Sequence, residues 1–173
     1  RLEEQTKSAV ADIRRLVYGL RPPALDDLGL VSAIRQQAEA FGFVERQEGE
    51  QRDGHEPVFY LKAPGELPPL PAAVEVAVYR IAQEALTNVA HHARARMCRV
   101  RLSIDDGVLD LEVEDDGVGV QRNRNAGVGL TSMRERAEEL GGTCVIEAAP
   151  TGGTRVLARI PVPVWERDDK ETP

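Results

Sequence analysis

Glu84 and Asn88 stand one helical turn apart in VYRIAQEALTNVAHHA, residues 78–93, on the rim of an otherwise apolar stripe. At about 100° per residue, Ala77, Ile81, Glu84, Asn88 and His91 fall along one edge of that stripe. A carboxylate and a carboxamide so placed can order a water or complete the oxygen shell of a hard divalent cation. Mg²⁺ takes few protein groups where phosphates supply the rest. The same pair also reads as purely structural, Glu84 bonding an Asn or a loop N–H.

Two glycine-bearing runs follow. Asp115-Asp116-Gly117-Val118-Gly119 comes directly after LDLEVE, so an Asp at a strand end is followed by two residues without Cβ. Such a carboxylate can accept a hydrogen bond from a ligand while bare backbone turns closely around it, although Asp-Gly is also ordinary turn chemistry. Gly127-Val128-Gly129-Leu130 opens the helical pattern TSMRERAEEL. Glycines there leave bare N–H groups and a positive dipole end aimed at an anion such as phosphate. Neither run is a GxxxxGK[ST] P-loop, and neither is a strand–GxGxxG–helix dinucleotide unit.

These residues need elements to hold them. The long helix spans about 72–94, with Val74, Ala77, Val78, Ile81, Ala82, Ala85, Leu86 and Val89 as its apolar face. CRVRLSI (98–104) and VLDLEVE (108–114) alternate on both sides of Asp105-Asp106-Gly107, which predicts a hairpin. A helix follows from about Thr131 to Leu140, then strands TCVIEA (143–148) and TRVLARIP (154–161) around Gly152-Gly153. VFYLKA (58–63) suits a short strand, and the polar run 45–57 a loop. DDLGLVSAIRQQAEAF (26–41) reads as a helix with acidic residues at its front. Residues 2–21 form an amphipathic N-terminal helix striped by Leu2, Ala9, Ile13, Leu16 and Leu20, stopped by Pro22-Pro23. Helices gathered against a mostly antiparallel sheet make this an α+β fold.

Composition narrows the class. The chain has 173 residues, enough for one domain, and 42% of them are apolar. With 22 basic and 29 acidic residues the net charge is −7, which argues against tracking a nucleic-acid backbone. Cys98 and Cys144 share no ligand spacing and suit reduced thiols. No apolar run approaches the roughly 18 residues of a membrane span. The sequence opens on Arg1 within a helical pattern and reads as a fragment, with any membrane attachment in regions outside it.

The order of the motifs resembles the ATP-binding domain of sensor histidine kinases, in the family shared with gyrase, Hsp90 and MutL. EALTNVAHHA resembles its N box, DDGVG its first glycine box and GVGLTSMRERAEELGG its second. LRPPALDDLGL is similar to the subfamily that signals to NarL/LuxR-type response regulators. The resemblance implies a two-layer α/β sandwich of the Bergerat type. It implies a hairpin helix and linker at 1–25, an ATP-binding catalytic domain at 26–163 and a flexible tail at 164–173. It also implies ATP and Mg²⁺ as ligands, a cytoplasmic setting and a homodimeric full-length protein. By position, Asn88 is the expected Mg²⁺ ligand and Glu84 the acid that polarises a water or orients transfer. Asp115 is expected to accept from the adenine amine, with Gly119 giving the base room and Gly117 among the cofactor-binding residues. Gly127 and Gly129 then form the phosphate side of a lid over about 120–126, Leu130 is expected among the cofactor-binding residues, and Thr154 supports the adenine contact.

Two departures accompany the likeness. His91 stands where relatives usually carry a fixed positive charge, so it is a weaker, pH-dependent candidate for phosphate. His92 falls on the apolar face and is expected to pack. None of His55, His91 and His92 lies in the E-L-H-D-like setting of a phosphoacceptor. The expected activity is therefore transfer of the ATP γ-phosphoryl group to a histidine outside this chain. A serine kinase acting as anti-sigma factor and a non-catalytic nucleotide-sensing module are the alternatives.

Overall fold

The computed structural model describes residues 21–50, 57–119, 128–150 and 152–162. Residues 2–20 of the helix expected at 2–21, the lid residues 120–127 with Gly127, His55 and the tail beyond 162 lie outside them.

Helix α1 spans Pro23–Ala40, β1 Val44–Glu45, β2 Val58–Lys62 and α2 Ala72–Asn88. A π-helical turn, Val89–Ala93, extends α2. Then come β3 Met97–Asp105, β4 Val108–Asp115, α3 Val128–Glu138, β5 Thr143–Ala148 and β6 Thr154–Pro161. Among the described residues six strands form one sheet in the order β1-β2-β3-β4-β6-β5. β1, β2 and β3 run parallel to one another, and the β3/β4, β4/β6 and β5/β6 pairs are antiparallel. The helices cover one face, as the α+β reading expects. Among the described residues no helix is long and apolar enough to cross a membrane.

Period-two alternation builds the sheet's two faces. On β4, Leu109, Leu111, Val113 and Asp115 point into the core, while Asp110, Glu112 and Glu114 point out. On the outer face Arg101 Nη1 lies 2.6 Å from Glu112 and Arg159 Nε 3.0 Å from Asp110, each pair directly opposite across the ladder. The β3–β4 hairpin closes through Asp106 (φ 46°) and Gly107 (φ 72°), the positive-φ pair of a type I′ turn.

All eight residues of the expected α2 stripe are buried. Val76 and Tyr79, outside that stripe, are buried too, because α1 packs on α2 from the other side. Gln37 of α1 accepts from Gln83 Nε2 at 3.3 Å across this contact.

Four boundaries differ from expectation for physical reasons. α1 starts at Pro23, where a missing N–H costs nothing in the first turn. It also breaks at Gly29 (φ 73°, ψ 170°), where only a residue without Cβ rests easily. The two-residue β1 runs into the front of the expected loop, held by Val44 N to Pro57 O and Arg46 N to Phe59 O, both 2.9 Å. α3 begins at Val128, so Gly129 lies within its first turn. His92 is exposed, not packed: the π-turn takes more residues per turn than an α-helix and rotates the end of the segment off the core stripe.

Both cysteines are free and buried. Burial pushes the Cys144 thiol up to about 11, and burial reinforced by the nearby Asp115 carboxylate pushes Cys98 higher still. The thiolate is the reactive form, so neither side chain should react with an aromatic disulfide reagent at pH 8 in the native protein. Both should react at once in denaturant, which a colorimetric time course reads directly.

Candidate functional site

The alternation of β4 delivers a carboxylate to the core face at the strand's last residue. Asp115 is 3% exposed, and among the described residues it is the one buried charged side chain. Its Oδ1 accepts from Gly117 N at 2.8 Å, and Thr154 donates to the carboxylate through both its backbone N–H and its hydroxyl. Burial holds the Asp115 pKa above the ordinary carboxylate value, opposed by those hydrogen bonds. A buried acceptor with a shifted pKa at a sheet end marks a site candidate on physical grounds.

Around Asp115 the chain presents backbone instead of side chains. Gly119 (φ 75°) faces Gly153, so that a Cβ on Gly119 would lie 3.0 Å from the Gly153 carbonyl oxygen. Gly153 (φ 86°) is pressed against Asp115 itself, and a Cβ there would lie 2.7 Å from Asp115 Oδ1. Gly117 instead meets the end of α2: a Cβ would overlap the Ala93 carbonyl, and Val118 N donates to that carbonyl at 2.9 Å. These glycines exist for close approach, which is a stronger constraint than flexibility.

The α2 side is built from Glu84 and Asn88, both half-buried. The Glu84 carboxylate abuts Gly129 in the first turn of α3, where any Cβ would collide with it. Gly129 thus lets the start of α3 close onto α2. The Asn88 Nδ2 atom is buried without a hydrogen-bond partner. Buried amides are normally satisfied, so an orphaned one beside a carboxylate suits a group awaiting a ligand. A nucleotide fits this set: a buried acceptor for N–H groups, bare backbone, a helix N-terminus and an amide N–H free to donate to a phosphate oxygen.

The structure brings Asp115, Gly117, Gly119 and Thr154 together, and it brings Glu84 to Gly129. Leu130 is half-buried and packs on the core. His91 is exposed, and its ring meets Phe41 edge-on with centroids 5.6 Å apart, so its nearest aromatic partner is the end of α1. Gly153 joins the site; in the Gly-Gly-Thr run 152–154 only Thr154 is expected to meet the ligand. Adjacent glycines leading into a strand were the available signal.

Residues 73–164 match the family described as histidine kinase-, DNA gyrase B- and HSP90-like ATPase. The chain belongs to this family. As an ATPase-family domain it takes ATP as its nucleotide. Among curated proteins it is 32% identical over 168 residues to the signal transduction histidine-protein kinase/phosphatase DegS of Brevibacillus brevis, covering 95% of this chain and 41% of that one. It is 38% identical over 162 residues to the kinase/phosphatase UhpB of Salmonella typhimurium, covering 92% and 30%. It is 33% identical over 165 residues to the oxygen sensor histidine kinase NreB of Staphylococcus carnosus, covering 94% and 45%. The chain spans less than half the length of these relatives. The histidine kinase domain of the blue-light activated kinase from Erythrobacter litoralis shares the fold, with a TM-score of 0.59 at 21% identity over 77% of this chain and 61% of that chain.

Proposed function

We propose that this chain is the ATP-binding catalytic portion of a two-component sensor histidine kinase, transferring the γ-phosphoryl group to a histidine outside residues 1–173. The observation that carries the reading is Asp115, a buried carboxylate ringed by bare backbone and held by Gly117 N and Thr154. A flat ligand with N–H donors fits such a place, and adenine has both properties.

The residues divide the work. Asp115 accepts from the exocyclic amine while Gly119 and Gly153 leave room for the ring. Gly129 and the α3 N-terminus face the phosphates. Asn88 would hold Mg²⁺ through its carboxamide oxygen, and Mg²⁺ supplies neutralisation of the phosphate charge in transfer. Glu84, at the α2–α3 contact, orients the acceptor or a water. His91 stands in the π-turn that extends the same helix, as a further candidate for phosphate contact. Relatives of the DegS, UhpB and NreB type support a NarL/LuxR-type response regulator as the downstream partner, a dimeric full-length protein and a cytoplasmic setting for this domain.

Calorimetry with Mg-ATP tests this reading, with wild type compared against Asn88→Ala. Wild type should bind. The variant should bind about tenfold more weakly with Mg²⁺ present, and the two should be nearly equal in EDTA. With a histidine-bearing helical hairpin supplied in trans and labelled ATP, only wild type should label the hairpin. Binding without labelling would favour a nucleotide sensor over a kinase.

A further inference from the structure

We infer that Asp116, beside the adenine-side carboxylate, is a positioning residue that fixes the spacing between the two walls of the nucleotide site. The inference rests on the ATP-site reading above.

The two walls belong to different elements. Glu84 and Asn88 lie on α2, which runs through the π-turn to Ala93 and ends at Arg94 in the left-handed region (φ 51°, ψ 32°). Asp115, Gly117 and Gly119 lie at the end of β4. A nucleotide bound with its base on Asp115 and its phosphates toward Asn88 touches both, so their separation sets its affinity.

Asp116 joins them. One oxygen, Oδ1, accepts from Arg96 N and Met97 N, both at 2.8 Å. The Asp116 N–H donates to Met97 O at 3.2 Å, and Val118 N donates to Ala93 O at 2.9 Å. Gly117 lies so close to Ala93 that a Cβ would sit 2.8 Å from the Ala93 Cβ. The stitch therefore holds the reversal after the π-turn against the glycine turn. Arg94 shows why a stitch is needed. A non-glycine residue in the left-handed region persists only where its surroundings fix it. Without the Asp116 carboxylate, two N–H groups lose their acceptor and the reversal can relax. α2's end would then drift relative to Asp115, while Asp115 keeps its own bonds to Gly117 and Thr154.

A ligand touching one wall and a ligand touching both separate this role from simple support of the fold. On the 173-residue chain, Asp116→Ala should raise the Kd for Mg-ATP about tenfold while changing the Kd for adenosine less than about twofold. Asp116→Asn keeps an oxygen at the same place and should restore both values. In hydrogen exchange, the Arg96 and Met97 amides should lose protection in Asp116→Ala and keep it in Asp116→Asn. If Asp116→Ala does not fold, Asp116→Glu, whose carboxylate is displaced by one methylene, carries the same expectation. Equal weakening of both ligands, or no weakening, overturns the positioning role while leaving the ATP site intact. Failure of wild type to bind Mg-ATP overturns the site reading and this inference with it.

Discussion

Asp115→Asn is expected to weaken ATP binding by at least about 100-fold while leaving the protein as stable as wild type, or more so, at neutral pH. The reason lies in which atom faces which partner. Gly117 N and the Thr154 donors require an acceptor, so the new carboxamide must commit its oxygen to them. Its NH₂ then points where the adenine amine arrives, and a donor meets a donor in a buried place. Stability moves the other way. Burial raises the pKa of Asp115, so the folded protein binds that proton more tightly than the unfolded chain. Stability from this group therefore falls as pH rises from the ordinary Asp value of about 3.9 through the raised one, and the loss persists above it. Asn does not titrate, so the variant should lose that slope in urea titrations between pH 4 and 8. Wild-type ATP affinity should likewise fall as pH drops through the raised pKa. ATP affinity unchanged in calorimetry would place the adenine acceptor elsewhere.

Much of this site is readable in the residues because its key group obeys the rule of its strand. In LDLEVED the alternation that buries Leu109, Leu111 and Val113 also buries Asp115, so a charged residue in the core phase announces itself. The α2 stripe and the last two strands are legible for the same reason: one repeat period persists over several residues. Where a single residue breaks the period, no neighbouring residue gives warning. The break in α1 at Gly29 and the π-turn that turns His92 outward are of this kind. β1 is too short to show alternation and exists only because Pro57 and Phe59 offer their carbonyls. Long-range contacts are the other blind spot. Glu84 against Gly129 and Asp116 against Arg96 and Met97 join residues 45 and about 20 positions apart, which no local spacing encodes.

Gly153→Ala should cost about 3–5 kcal/mol, lower the melting temperature by about 10 °C and lose ATP binding as well. Gly153 sits at φ 86°, which alone costs an alanine about 1–2 kcal/mol. Contact costs more: the added Cβ would overlap the Asp115 carbonyl oxygen and lie 2.6 Å from the Asp115 carbonyl carbon. Backbone cannot swing aside as a flexible side chain does. β4 has no room to retreat, since Asp115 pairs with Cys98 on β3 and Asp116 is bonded to the same turn. Gly152→Ala is the matched control. It too has positive φ (92°), but nothing lies within 4 Å of its Cβ position. It should cost only about 1 kcal/mol of backbone strain and leave ATP affinity unchanged. Equal thermal shifts for the two variants would mean that strain alone acts and that close packing on Asp115 does not. Together with Asp115→Asn, these variants separate two properties of one residue. Asp115→Asn loses the ligand and keeps the fold, Gly153→Ala loses both, and Gly152→Ala keeps both with a small thermal cost. That pattern is specific to a carboxylate whose backbone supports the sheet end while its side chain serves the nucleotide.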